Sequence, residues 1–237
     1  AIKVVRLPAS PDDASAARLE NLPHELTLWR SCAHTHILSV YECFYEPDVG
    51  VWITQELIDR SLADIIASRT NGVELEERQM SRIMTDTLMG LEFLHSKRIM
   101  HRDCRSDNVM ITSGGVAKLS DFTHACKLET RRRSVVGTPF WMAPEVIKAV
   151  PYDYKADIWS LGVVLYEMIE GDPPRIDLTP LRAITLTATV GMPPITNPSH
   201  FSSELKQCLA WCTEMEPERR PSAEMLLNVS VNLSRSH

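Results

Sequence analysis

Apolar positions in the first sixty residues fall in short, β-branched runs, whereas from about residue 61 onward they recur at the spacing of one helix face. "AIKVV" predicts a strand. "LPASPDD" interrupts it with two prolines and offers Ser10 or Asp12 as a cap for the helix that follows, in which Leu19, Leu22, Leu26 and Trp29 recur at helical spacing. That helix ends before "HTHI". "ILSVYECFYE" and "VGVWITQEL", separated by "PD", predict a pair of antiparallel strands. Beyond Ser61 the long stretch "LEERQMSRIMTDTLMGLEFLHSKR" lines up Met80, Ile83, Met84, Leu88, Leu91 and Leu94 on one face, with Glu77, Arg78 and Arg82 on the other. "NVMIT" and "VAKLSDF" predict two short strands across an "SGG" turn, which puts Asp121 at a strand end. Residues 123–140 carry no clear period. "DIWSLGVVLYEMIE" is apolar nearly all round and predicts a buried helix, followed by helices near 179–190, 202–213 and 222–230. No internal repeat or low-complexity tract is visible.

The pattern implies an α+β, two-lobed fold. A small, strand-rich and incomplete lobe (1–57) is joined near residues 56–60 to a larger, mainly helical lobe (58–237), with a cleft between them.

With 237 residues, 44% of them hydrophobic and 24% charged, a sizeable core is available. A formal charge of -6 argues against broad nucleic-acid or membrane-surface binding, so the expected partners are proteins and small ligands. The six cysteines (32, 43, 104, 126, 208, 212) lack the paired spacing of a structural zinc site and suggest a reducing compartment. Cys208 and Cys212, one helical turn apart in "QCLAWC", are expected to be core thiols, and His34 and His36 to lie in a turn. No apolar run approaches the length of a membrane span and no signal-peptide pattern opens the chain, so a cytoplasmic protein is expected. The chain opens with a strand already under way, which suggests sequence upstream.

One stretch stands apart. "RIMHRDCRSDNVMIT" places His101, Arg102, Asp103, Arg105, Asp107 and Asn108 between two apolar runs. Charge tucked beside strands is costly unless it is flipped into water or held in a site. "HRDCRSDN", followed by "SDF" and then "GTPFWMAPE", with "AIK" before and "DIWSLG" after, resembles in order and spacing the catalytic loop, metal-binding turn and activation segment of eukaryotic protein kinases. The wording is most similar to the PAK-type branch of the STE serine/threonine kinases, over essentially the whole chain.

The resemblance implies an ATP-dependent protein kinase acting on Ser and Thr hydroxyls of protein substrates, with ATP and Mg2+ as cofactors. It assigns Asp103 to the substrate hydroxyl, Asn108 and Asp121 to magnesium, and Arg105 to the γ-phosphate. Lys3 would reach the α/β phosphates with Glu25, or failing that Glu20, as its helix partner. Ala1, Gln55, Glu56, Leu57 and Met110 would line the adenine pocket. Ser134, after the basic run Arg131, Arg132 and Arg133, matches the activation-segment phosphosite and would pair with Arg102. Thr138 would bond toward Asp103, and Glu145 with Arg220 as a structural brace. By family analogy a small-GTPase-linked regulatory region would lie outside this chain.

Three positions depart from the family pattern. The glycine-rich loop that precedes "AIK" in the family is not in this sequence, Thr123 stands where glycine follows "DF", and Arg105 stands in place of lysine. If the turn requires positive φ, a β-branched Thr123 costs on the order of 1–2 kcal/mol. These departures leave open a second reading, a pseudokinase serving as a nucleotide-binding or scaffold module.

Overall fold

The computed structural model describes residues 1–6, 14–47, 49–72 and 74–234, and the side chains of 14–20, 71 and 229–234 lie outside the description. The caps expected at Ser10 or Asp12 and the side chain of Glu20 therefore lie outside the described residues.

The first three strands, β1 (Ile2–Arg6), β2 (Val40–Glu46) and β3 (Gly50–Gln55), form an antiparallel sheet in the order β1-β3-β2. Strand side chains alternate between faces, so the register Val5↔Val51 and Lys3↔Ile53↔Cys43 decides which residues turn inward. Val5 and Ile53 are buried with Leu22 and Leu26 of helix α1 (Ala14–Arg30) in one small core. The strand expected over residues 37–46 begins only at Val40. Its first residues cross instead to the large lobe, where Leu38 N donates to Leu119 O at 2.8 Å and Leu119 N donates to His36 O at 2.9 Å. Backbone groups satisfied there are not available to the first sheet.

The large lobe opens with β4 (Arg60–Ser61) and α2 (Leu62–Ala67), whose first turn is closed by a capping box. Ser61 Oγ accepts from Asp64 N at 3.1 Å and Asp64 Oδ2 accepts from Ser61 N at 2.9 Å. Helix α3 (Glu77–Ser96) buries the six apolar residues read from its periodicity, together with Asp86. That carboxylate accepts from Ala117 N at 3.0 Å and Arg82 Nε at 2.9 Å, tying α3 to the strands beside it. Those strands are β6 (Val109–Ile111) and β7 (Ala117–Leu119), in a sheet ordered β4-β6-β7. β5 (Ile99–Met100) pairs with β8 (Cys126–Lys127), a strand that the aperiodic segment 123–140 did not announce.

After the short α4 (Pro144–Ile147), α5 (Lys155–Glu170) runs through the middle of the lobe with residues 156–169 all buried. Helices α6 (Pro180–Val190), α7 (Ser203–Cys212) and α8 (Ala223–Ser234) follow, and among the described residues α5 packs chiefly on α7 and α3. Cys212 is fully buried and Cys208 half-buried. His34 and His36 sit at a turn, with the His34 ring stacked on Phe93 at 4.7 Å. No helix among the described residues is long and apolar enough to cross a membrane.

Glu145 of α4 and Arg220 meet in the interior at 4% and 0% exposure, with Nη1 to Oε1 at 2.6 Å and Nη2 to Oε2 at 3.1 Å. The guanidinium also donates to Lys155 O at 2.7 Å and Glu214 O at 2.9 Å and lies over the Trp159 ring. Every remaining donor direction is thus used, the condition under which a buried pair holds. Glu145→Ala leaves the guanidinium charged and buried without its partner, and is expected to cost about 3–5 kcal/mol. An unfolding free energy from urea titration within about 0.5 kcal/mol of wild type, the range of a neutral surface change, would refute this.

Candidate active site

Within the charged stretch, residues 101–108 form the loop between β5 and β6, and a buried carboxylate sets its shape. Asp157, on the first turn of α5, is fully buried and accepts from His101 N at 3.0 Å, Arg102 N at 2.8 Å and His95 Nε2 at 2.9 Å. Burial pushes this carboxyl up, but the bond and charge of His95 and the His101 amide outweigh it and hold its pKa below the ordinary value. The clamp fixes Arg102 at φ 65°, a left-handed conformation that a non-glycine residue adopts only under constraint.

Asp103, next in the chain, is held from two sides. Asn108 Nδ2 donates to its main-chain oxygen at 2.9 Å and to its Oδ2 at 3.0 Å, while Thr138 Oγ1 and N donate to its Oδ1 at 2.8 and 3.2 Å. Thr138 is delivered by Gly137, at φ 112°, where a Cβ would meet Arg102 O at 2.7 Å. No other residue fits that approach. Arg105 Nη1 donates to Thr138 Oγ1 at 3.0 Å, its Nε to Asp107 Oδ2 at 2.8 Å, and its guanidinium lies 5.0 Å over the Trp141 ring. The planar fork is thereby fixed in one position.

Asp121 follows β7 and Ser120, whose N donates to Asn108 O at 2.8 Å, so the Asp121 turn is stitched to the Asn108 loop. Lys3 of β1 reaches across from the small lobe, with Nζ 3.3 Å from Asp121 Oδ2. Burial alone raises the Asp121 carboxyl, yet the Lys3 charge and the hydrogen bonds from Thr123 bring its pKa down to about 2. The positive φ of this turn, 58°, falls on Asp121 and not on Thr123. Thr123 therefore escapes the strain that a glycine position would impose. Phe122 between them stacks on Trp29 of α1 at 5.2 Å and meets the His101 ring edge-on at 5.4 Å. Glu25 of α1 is buried and accepts from Thr123 Oγ1 at 3.3 Å.

Ala1 and Gln55 pair across β1 and β3, with Gln55 N donating to Ala1 O at 2.9 Å and the Ala1 amine to Gln55 O at 2.7 Å. Gln55 Oε1 is buried without a hydrogen-bond partner. Glu56 is engaged by Lys118 Nζ at 2.7 and 2.8 Å, joining the interlobe segment to β7. Leu57 is exposed, and Met110 lies in β6 opposite Ser61 and Lys118. Arg102 Nη1 donates at 3.2 Å to Ser134 Oγ, in the segment after β8, and its Nε donates at 2.6 Å to His124 O, just before β8, while the Tyr152 hydroxyl donates to Ser134 O at 2.8 Å.

The oxygens of Asn108 and Asp121 are hard donors of the kind magnesium takes, a metal that completes its shell with water and phosphate oxygens. Among the described residues no cluster of three or more His, Cys, Asp or Glu side chains is placed to hold a metal unaided. The donor set fits magnesium carried in on a phosphate, and Asp121, ionised at neutral pH, fits it in charge.

Sequence reasoning passed over Asp157 and Glu167. Both are acids inside an otherwise apolar helix, and that mismatch was the available signal. Glu167 accepts from Ser106 Oγ, in the loop between β5 and β6, at 2.6 Å and from Trp141 Nε1 at 3.2 Å. Burial pushes its carboxyl from 4.5 up to about 7, against the pull of those two donors. The folded protein holds this proton longer than the unfolded chain, so the stability it contributes is full below pH 4.5 and lost as pH rises through about 7. The loss is on the order of 3 kcal/mol. Urea unfolding of wild type against Glu167→Gln is expected to give a difference that shifts in this direction over that range. A pH-independent difference would exclude the assignment.

Comparison with known proteins matches residues 1–231 to the protein kinase domain. The chain is 40% identical over 232 residues to serine/threonine-protein kinase STE20 of Saccharomyces cerevisiae, covering 96% of this chain and 24% of that protein. It is 37% identical over 207 residues to serine/threonine-protein kinase pakB of Dictyostelium discoideum (86% and 24%), and 37% identical over 237 residues to serine/threonine-protein kinase SKM1 of Saccharomyces cerevisiae (96% and 35%). It thus spans about a quarter to a third of the length of these relatives. With a strand-and-helix small lobe, a mostly helical large lobe and a family match over nearly its full length, the chain belongs to the protein kinase domain family.

Proposed function

We propose that this chain is the catalytic domain of a serine/threonine protein kinase that moves the γ-phosphoryl group of Mg-ATP to Ser or Thr hydroxyls of protein substrates. The observation that carries the reading is Asp103, fixed by Asn108 and Thr138 with its carboxylate in hydrogen-bonding use. Phosphoryl transfer through a loose transition state asks mainly for positioning and charge balance. Asp103 orients the substrate hydroxyl and accepts its proton as the oxygen bonds to the γ-phosphorus, while the bond from that phosphorus to the β,γ-bridging oxygen breaks and ADP leaves with its electron pair. Lys3 would supply positive charge to the α/β phosphates, and Asn108 and Asp121 would hold magnesium, which when bound would neutralise charge on the phosphate oxygens. The buried, unpartnered Oε1 of Gln55 supports an adenine pocket, since an exocyclic amine would satisfy it. Arg105 donates to Thr138, which steadies the loop that carries Asp103, in addition to the phosphate contact the family pattern assigns.

Thr123 outside the left-handed region and the engaged Asp103 favour an active enzyme over a scaffold. Magnesium-dependent transfer of labelled γ-phosphate to a generic basic protein is the test. Asp103→Asn is expected to lower kcat roughly a hundred- to ten-thousand-fold. Equal incorporation by both proteins would sink the reading.

Ser134 is read as the regulatory phosphosite of the same domain. Phosphate there adds close to two negative charges beside Arg102, which already donates to the hydroxyl. Phosphatase treatment and Ser134→Ala are each expected to lower kcat/KM about tenfold or more, by loss of charge-assisted bonds that order the segment. Unchanged kcat/KM in both would dismiss the role.

A further inference from the structure

The position that departs most from the family wording is also one of the best-bonded in the site. Thr123 Oγ1 lies 2.5 Å from Asp121 Oδ1 and 3.3 Å from Glu25 Oε1, and Thr123 N donates to the same Asp121 Oδ1 at 3.2 Å. A glycine could make only the last of these contacts. We propose that Thr123 is a positioning residue whose hydroxyl clips the Asp121 carboxylate to Glu25 of α1, so that the turn of the large lobe and the helix of the small lobe are set as one unit. The proposal rests on the kinase reading for its consequence in nucleotide binding, but the clip itself is a property of the free protein.

Three features make the hydroxyl suited to this. First, it divides the two Asp121 oxygens: Oδ1 takes both donors of Thr123 while Oδ2 faces Lys3 at 3.3 Å, which fixes the rotation of the carboxylate. Second, a β-branched side chain has few χ1 choices, so the hydroxyl direction is set by the backbone, which is unstrained at this residue. Third, one hydroxyl proton faces two carboxylates and is shared as a three-centre bond, its short arm to Asp121 Oδ1 at 2.5 Å and its long arm to Glu25 Oε1 at 3.3 Å.

The polar clip runs beside an apolar one. Phe122 stacks on Trp29, one helical turn beyond Glu25 on α1. Residues 121, 122 and 123 therefore each grip the small lobe, through Lys3, Trp29 and Glu25 respectively. Removing the hydroxyl leaves the first two links in place, so the domain should still fold. The loss falls on the orientation of Asp121 and on the coupling of α1 to it.

The test compares wild type with Thr123→Ser, which keeps the hydroxyl, Thr123→Val, which keeps the shape, and Thr123→Gly, which keeps neither. In nucleotide-free protein, amide hydrogen exchange of residues 121–125 and of 22–30 in α1 is expected to be like wild type in the Ser variant. In Val and Gly it should be roughly tenfold faster in both segments, the effect of one charge-assisted hydrogen bond. Calorimetry should show the same ranking for Mg-ATP, with Val and Gly binding roughly tenfold more weakly and Ser restored. Val exchanging like wild type, or Ser behaving like Val, overturns the clip. Absence of Mg-ATP binding and phosphate transfer in wild type would instead overturn the kinase reading, while the exchange comparison still decides the clip. If Val fails to fold, the Gly and Ser pair decides it by the same measurements.

Discussion

The loop between β5 and β6 depends on one buried carboxylate. Asp157 projects from the start of α5 and takes the main-chain amides of His101 and Arg102, whose left-handed φ would otherwise relax. A carboxylate in that position survives ionised only because His95 and the two amides replace the water it lost. The loop, in turn, carries Asp103 and Asn108, and through Arg102 reaches Ser134 and His124. A rigid helix thus imposes its position on three separate parts of the site. This is how a loop can be charged and still precise: its geometry is set by the scaffold beneath it, with Asn108 of the loop itself tying down Asp103.

The two lobes meet through a few specific bonds. Lys3 to Asp121, Trp29 on Phe122, Thr123 to Glu25, and Glu56 to Lys118 each join a small-lobe or interlobe residue to β7 or the turn after it. The backbone exchange between residues 36–38 and Leu119 belongs to the same seam. One short strand and the turn that follows it therefore receive most of the interlobe bonding described above.

Much of this was legible before the fold was known, and the reasons differ by element. α3 announced itself because one face is apolar over 20 residues, and α5 because nearly every face is. The candidate site was suggested by the order of short motifs, which fixes chain positions but no geometry. β8 was missed because two residues carry no period, and their pairing with β5 is a tertiary event. The start of β2 was read three residues early because Ile37 and Leu38 are apolar for a different reason, burial against β7. At Thr123 the sequence raised a choice between strain and none, and only the φ of Asp121 resolves it. Asp157 and Glu167 sat in plain view inside an apolar helix, but their partners lie some 60 residues upstream, beyond the reach of any local pattern.

The burial of α5 on all sides has a consequence for how the domain is made. A helix with residues 156–169 wholly enclosed has no face for water, and its cover comes partly from α3, synthesised earlier, and partly from α7, synthesised later. During translation this segment emerges with part of its enclosure missing, an apolar surface open to wrong partners until residues 171–212, which end with α7, have also left the ribosome. Arg220, which reaches back to Glu145, arrives just after them. The large lobe is therefore completed from its C-terminal end, and holding chaperones would be most needed in the interval before α7 docks.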